Sequence, residues 1–131
     1  MKNISEAELE VMNVIWQKEE ITSPEIIKAL HWKKWNHNTI RTLINRLLAK
    51  GAIEIVKKEK RICIYKAILQ KQEYNLIAFK KLLKTLYHNS ITEFVEECYK
   101  NSFLSKDELE KIQKQINEML KKNDEKHHNN N

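Results

Sequence analysis

A mainly α-helical fold carrying one small β-hairpin is what this sequence predicts, and three observations carry the prediction. First, the 131 residues include a single glycine, Gly51, and a single proline, Pro24. That excludes the repeated Gly/Pro turns of a many-stranded sandwich and the clustered glycines of a dinucleotide or P-loop phosphate site. Second, apolar residues recur at helical spacing along most of the chain. Third, only two runs are β-rich, 52–56 and 62–69, and they flank a charged segment. The resulting order is helix, helix, helix, strand, charged tip, strand, then three helices. The first five elements describe a winged helix-turn-helix over 1–70, followed by a helical dimerisation region over 71–121.

Each element has a local reason. Ser5-Glu6-Ala7-Glu8 is a capping box that opens a helix over 6–18, with Leu9, Val11, Met12, Ile15 and Trp16 at its apolar positions. Residues 19–22 are a short linker. Ser23 followed by Pro24 marks the next start, and Ile26, Ile27 and Leu30 give that helix an apolar face. Residues 31–37, HWKKWNH, form a basic and aromatic loop. The clearest helix covers 38–50, where Ile40, Leu43, Ile44, Leu47 and Leu48 keep the spacing of one buried face. Asn36 or Asn38 can cap its start, and Gly51 fits the left-handed position that ends it. Lys57-Lys58-Glu59-Lys60-Arg61 is the tip of the hairpin that follows.

Beyond Gln70 the pattern is helical again. Leu76, Phe79, Leu83 and Leu86 form one stripe, and Ile91, Phe94, Val95 and Cys98 a second. Ser105-Lys106-Asp107-Glu108 is another capping box, opening a helix with Leu109, Ile112, Ile116 and Met119 in line. Three such helices cannot make a core alone, so a second copy is the natural cover. Leu76, Phe79, Leu83, Phe94, Leu109, Ile112, Ile116 and Met119 are therefore the candidate homodimer interface. Residues 122–131 are polar and are expected to form a disordered tail.

Charge points to an anionic partner. The net charge is +6. Residues 28–66 carry 11 Lys or Arg against 2 Asp or Glu. A patch of that size meets nucleic acid or an acidic membrane surface, or else it is a solvated lysine-rich face. Spacing within 38–50 favours nucleic acid. Opposite its five apolar residues lie Asn38, Thr42, Asn45 and Ala49, flanked by Thr39, Arg41 and Arg46. Asn pairs with adenine, Arg with guanine or phosphate, and Thr with thymine. No acidic residue interrupts 36–50, whereas a plain solvent-facing helix mixes both signs. Lys57, Lys58, Lys60 and Arg61 at the tip, with Lys33 and Lys34 in the loop, would grip the DNA backbone. Trp32 and Trp35 flank those two lysines, and at least one of them is expected to plug the small core.

Those same stretches resemble the penicillinase-repressor (BlaI/MecI) family of winged-helix transcriptional regulators. The resemblance lies in Ile4-Ser5-Glu6-Ala7-Glu8-Leu9-Glu10-Val11-Met12-Asn13-Val14-Ile15-Trp16, in Thr39 to Leu47, in Leu48-Ala49-Lys50-Gly51 and in Leu104-Ser105-Lys106-Asp107-Glu108-Leu109. It covers roughly residues 4–121. It implies a homodimer that represses β-lactam-resistance or related genes from double-stranded dyad operators. It implies relief when a membrane-bound sensor metalloprotease is triggered and the repressor is cut between Asn and Phe ahead of the last helix. That bond aligns near Glu97-Cys98 here, and Asn101-Ser102-Phe103 stands four residues on, so Asn101 and Ser102 mark the candidate cleavage segment. Copper-responsive relatives carry CxC pairs, which this chain lacks.

An enzyme finds no support. No paired carboxylates, glycine elbow or metal quartet is present, so no catalytic residue, metal site or cofactor is expected. The remaining alternative is a winged-helix module that binds protein or RNA without a specific operator. Cys63 and Cys98 read as buried thiols of a reducing compartment, and the acidic N-terminus shows no signal peptide. A cytoplasmic location is expected.

Overall fold

The computed structural model describes residues 3–129. It contains six α-helices and a three-stranded antiparallel sheet. The chain divides into two compact units between Ala78 and Phe79.

In the first unit, α1 spans Glu6–Ile15 and opens on the expected capping box, with Ser5 and Glu8 exchanging bonds. It stops three residues before the expected end. Trp16 caps the end with helical backbone, its N–H donating to the Met12 carbonyl at 2.8 Å, and the next two N–H groups close tighter turns onto Val14 and Ile15. The Trp16 Nε1–H donates to the Leu69 carbonyl at 2.8 Å, and its ring meets Tyr74 at 5.8 Å. The linker then supplies a short strand that the sequence did not reveal, β1 at Ile21–Thr22. The next helix, α2 over Ser23–Ala29, is capped by Thr22 and not by Ser23. Thr22 Oγ1 accepts from the Glu25 N–H, and the Glu25 carboxylate returns to the Thr22 N–H at 3.1 Å. The loop expected over 31–37 is shorter, since His31–Lys33 forms a turn of 3-10 helix.

Helix α3 runs from His37 to Ala49 and buries Ile40, Leu43, Ile44 and Leu47. Gly51 follows at φ +76, the left-handed position expected of it. Strands β2 (Ile53–Glu59) and β3 (Ile62–Ala67) form the wing, and β1 adds to the far edge of β3 in the order β1-β3-β2. The hairpin tip is tighter than the sequence reading had it. The strand runs on to Glu59, leaving Lys60 and Arg61 as a two-residue turn, both at positive φ.

A bulge at Val56 shifts the register, so that Ile55 faces Tyr65 and Lys57 faces Ile64. The extra residue changes which side chains share a face. Lys57 and Glu59 join Ile62 and Ile64, while Lys58 falls in step with Cys63.

The core of this unit gathers Val11, Met12, Ile15, Ile26, Leu30, Ile40, Ile44, Leu47, Ile53 and Leu69, each nearly or wholly buried. Emptying one such site, as in Leu47→Ala, costs about 2–5 kcal/mol. That is a large share of the 5–15 kcal/mol typical of a whole domain. Burial also pushes the Tyr65 hydroxyl, beside Cys63, up to about 12. Cys63 itself is half-buried, as is Cys98, and neither is the fully buried thiol that its surroundings implied.

The remaining helices are α4 (Lys71–Leu86), α5 (Ile91–Lys100) and α6 (Lys106–Asn129). Ser90 caps α5, and Ser105 caps α6: its hydroxyl accepts the Glu108 N–H at 3.1 Å and donates to the Glu108 carboxylate at 3.3 Å, in place of the reciprocal backbone bond of a full box. Phe94 packs edge-on against Phe79 and Tyr87, at 6.2 Å and 5.4 Å. Where a disordered tail is expected over 122–131, α6 continues as helix to Asn129. Residues 122–129 hold two Lys, two Asn, two His, one Asp and one Glu with no Gly or Pro, so nothing in them breaks a helix already started. Residues 130 and 131 lie outside the described chain.

Candidate nucleic-acid interface

The outward face of α3 is held at both ends. At the N-terminal end, Asn36 Oδ1 accepts the Asn38 N–H at 2.7 Å. Of the two capping candidates, Asn36 is the one used. At the C-terminal end, Lys50 Nζ reaches back to α1. It donates to Glu8 Oε2 at 2.7 Å and to the Asn3 carbonyl at 2.6 Å. Glu8 is only 2 % exposed. Burial alone would raise its carboxyl, but hydrogen bonds from Lys50 and Ser5 together hold it below the usual carboxylate range. This tie was missed in the sequence, where Glu8 read only as a capping residue. Its partner lies 42 positions away, beyond any local pattern.

Between those anchors, Asn38, Thr39, Arg41, Thr42, Asn45 and Arg46 are all exposed, on the side away from the core. Two are already linked to Asn38. Arg41 Nη1 donates to Asn38 Oδ1 at 3.3 Å, and the Thr42 hydroxyl donates to the Asn38 carbonyl at 2.9 Å. With its hydroxyl turned back to the helix, Thr42 has its methyl left to offer.

The basic residues divide into free and occupied. Lys57 pairs with Glu59 at 2.6 Å, which leaves Lys58, Lys60 and Arg61 without an ion-pair partner among the described residues. In the loop, Lys34 is exposed at φ 57. Lys33 is engaged by Glu10 and by both tryptophans. Trp35 packs half-buried against the core, as one of the pair was expected to, whereas Trp32 is 58 % exposed.

In the second unit and at its approach, the apolar stripes lie open. Leu76, Phe79, Leu109, Ile116 and Met119 are exposed, and Leu83, Phe94 and Ile112 are half-buried. Asn101 and Ser102 are exposed within a hydrogen-bonded helix end. The Phe103 N–H donates to the Cys98 carbonyl at 3.0 Å, and Ser102 sits at φ 60. Phe103 is 73 % exposed.

A helix-turn-helix whose third helix shows an acid-free Asn/Thr/Arg face, beside a basic two-stranded wing, defines a winged-helix DNA-binding regulator. Comparison with known proteins gives the family. The model described as penicillinase repressor matches residues 4–118. The methicillin resistance regulatory protein MecI of Staphylococcus aureus (strain N315) is 34% identical over 115 residues, which is 87% of this chain and 93% of MecI. The penicillinase repressor of Bacillus licheniformis is 34% identical over 110 residues, 83% of this chain and 85% of that protein. The solution structure of the DNA binding domain of the repressor BlaI superposes with a TM-score of 0.50 at 41% identity, covering 56% of this chain and 94% of that one. The chain belongs to the penicillinase repressor family, whose members are DNA-binding transcriptional repressors and not enzymes.

Proposed function

We propose that the protein is a homodimeric repressor that binds dyad operator DNA in the cytoplasm and controls β-lactam-resistance or related genes. The observation that carries this reading is the outward face of α3, six exposed polar or basic residues opposite the buried Ile40, Leu43, Ile44 and Leu47. Asn38, Arg41, Thr42 and Asn45 read base edges, with Thr39 and Arg46 beside them. Lys34, Lys58, Lys60 and Arg61 hold phosphates. A module that bound protein would have no use for an acid-free reading face at this position.

The dimer rests on Leu76, Phe79, Leu83, Phe94, Leu109, Ile112, Ile116 and Met119. Helices α4 to α6 hold no fully buried side chain among the described residues. Each large apolar residue left in water forgoes about 1.5–3 kcal/mol that burial would give. A second copy supplies that burial, and two half-sites bound together exceed either alone by avidity.

Repression is relieved by separating the dimer, through a cut by a membrane-bound sensor metalloprotease in the segment around Asn101 and Ser102. The exposure of 101–103 supports access. Its closed hydrogen bonds require the helix end to open first.

The test is selection of duplexes by the full-length chain from a random library. A dyad with half-sites about one helical turn apart, roughly 10 base pairs, is expected. Recovery of no preferred duplex, or of a single half-site by a chain that sediments as a monomer, would overturn the reading.

A further inference from the structure

We propose that Lys33 positions the recognition helix and is not a phosphate contact. The proposal rests on the DNA-binding reading of α3. Lys33 Nζ lies 5.0 Å from the centre of the Trp32 ring and 5.2 Å from that of Trp35. The same ammonium stands 3.5 Å from Glu10 Oε1 on α1, and the Lys33 side chain is 28 % exposed. A phosphate contact needs a cation that is hydrated and free to swing toward the DNA. This one already has two aromatic faces and a carboxylate.

Its partners come from separate parts of the fold, and that is what makes the cluster a tie. Glu10 belongs to α1, which packs in the core through Val11 and Met12. Trp35 packs against the same core. Lys33 joins them from the turn between. Lys34, the next residue, takes the left-handed backbone at φ 57, and its N–H donates to the His31 carbonyl at 3.1 Å. Asn36 then caps α3 by accepting the Asn38 N–H. Holding Lys33 thus fixes where the left-handed turn begins. It fixes in turn the direction in which α3 leaves the loop, and the place of Asn38 on the reading face. Lys34 is the lysine of this loop that remains free to meet a phosphate.

The proposal gives Glu10 an effect opposite in sign to plain electrostatics. Removing a negative charge from a DNA-binding unit should tighten its grip on any duplex. If Glu10 holds Lys33 in place, Glu10→Gln should weaken binding to the preferred duplex.

The experiment uses the full-length protein, the duplex it selects from a random library, and a scrambled duplex of equal length. Binding is measured across salt concentrations for wild type, Lys33→Gln, Lys33→Arg, Lys34→Gln and Glu10→Gln. Lys33→Gln should bind the selected duplex about fivefold more weakly while keeping the wild-type salt slope, and Lys33→Arg should restore most of the loss. Lys34→Gln should lower the slope by about 0.9 per subunit, about 1.8 for the dimer. Glu10→Gln should bind the selected duplex more weakly and the scrambled one no more weakly than wild type. If Lys33→Gln lowers the slope as Lys34→Gln does, or Glu10→Gln tightens the selected duplex, the positioning role is wrong while the DNA-binding reading stands. A wild type that selects no duplex sinks both. Should Lys33→Gln melt far below wild type, Glu10→Gln, nearly identical in shape to the native residue, decides alone.

Discussion

Replacing the wing turn, Lys60→Asn together with Arg61→Gly, should stabilise the protein and loosen its hold on DNA at once. The β2–β3 hairpin closes through these two residues, at φ 47 and φ 70. A two-residue hairpin turn of this kind needs positive φ at both positions, which Asn-Gly adopts readily. An ordinary side chain in that region costs roughly 1–2 kcal/mol. Relief at both sites should therefore give about 2 kcal/mol or more. For a unit of this size each kcal/mol moves Tm by about 4–8 °C, so a rise near 10 °C is expected. The same change removes two cations. If each meets one phosphate, the slope of log affinity against log salt falls by up to about 1.8 per subunit, about 3.6 for a dimer on two half-sites. Circular-dichroism melts read the first effect. They must be run at fixed protein concentration, because the proposed dimer would make Tm depend on it. Fluorescence anisotropy with a labelled duplex at several salt concentrations reads the second. A Tm that stays or falls would refute the strain argument. An unchanged slope would refute the phosphate contacts.

Three other outcomes are expected. Arg41→Ala should cost about 1–3 kcal/mol on the preferred duplex and relax its sequence preference, whereas Lys58→Ala should weaken all duplexes alike; competition binding with single-base variants separates the two. Acid should loosen the start of α2: the bond from Lys18, helped by Thr22, holds the Glu25 carboxyl at about 2, below its ordinary 4.5. A depressed carboxyl stabilises the fold above its unfolded value and loses that contribution as pH falls from about 4.5 toward about 2. Glu25→Gln should flatten urea-measured stability across that window, and an unaltered profile would show that the bond contributes nothing. Truncation after Asn101 removes α6 and should leave a chain that sediments as a monomer and binds the dyad weakly; a truncated chain that still dimerises and represses rules out a cut in this segment as the switch.

Whatever local rules govern was legible along the chain. Periodicity located α3 and its buried face to within a residue, because an amphipathic helix writes its orientation into every turn. Gly51, the Ser5 box and the Ser105 cap announced their roles because caps are made by residues close in the chain. The acid-free face of α3 needed no partner to be seen.

Tertiary structure decided whatever depends on residues distant in the chain. Strand β1 has only two residues and exists because β3 lies beside it. The Trp16 ring at the end of α1 finds its hydrogen-bond partner in the Leu69 carbonyl, 53 positions on. The bulge at Val56 chose which wing lysines share a face, and Glu59 then claimed Lys57. The same holds for Lys33. In sequence it is one of two adjacent lysines between tryptophans, equal to Lys34 in every local respect. Only the packing of α1 beneath the loop brings Glu10 within reach of one ammonium and leaves the other in water, because a contact across the fold depends on three-dimensional distance, which local spacing does not encode.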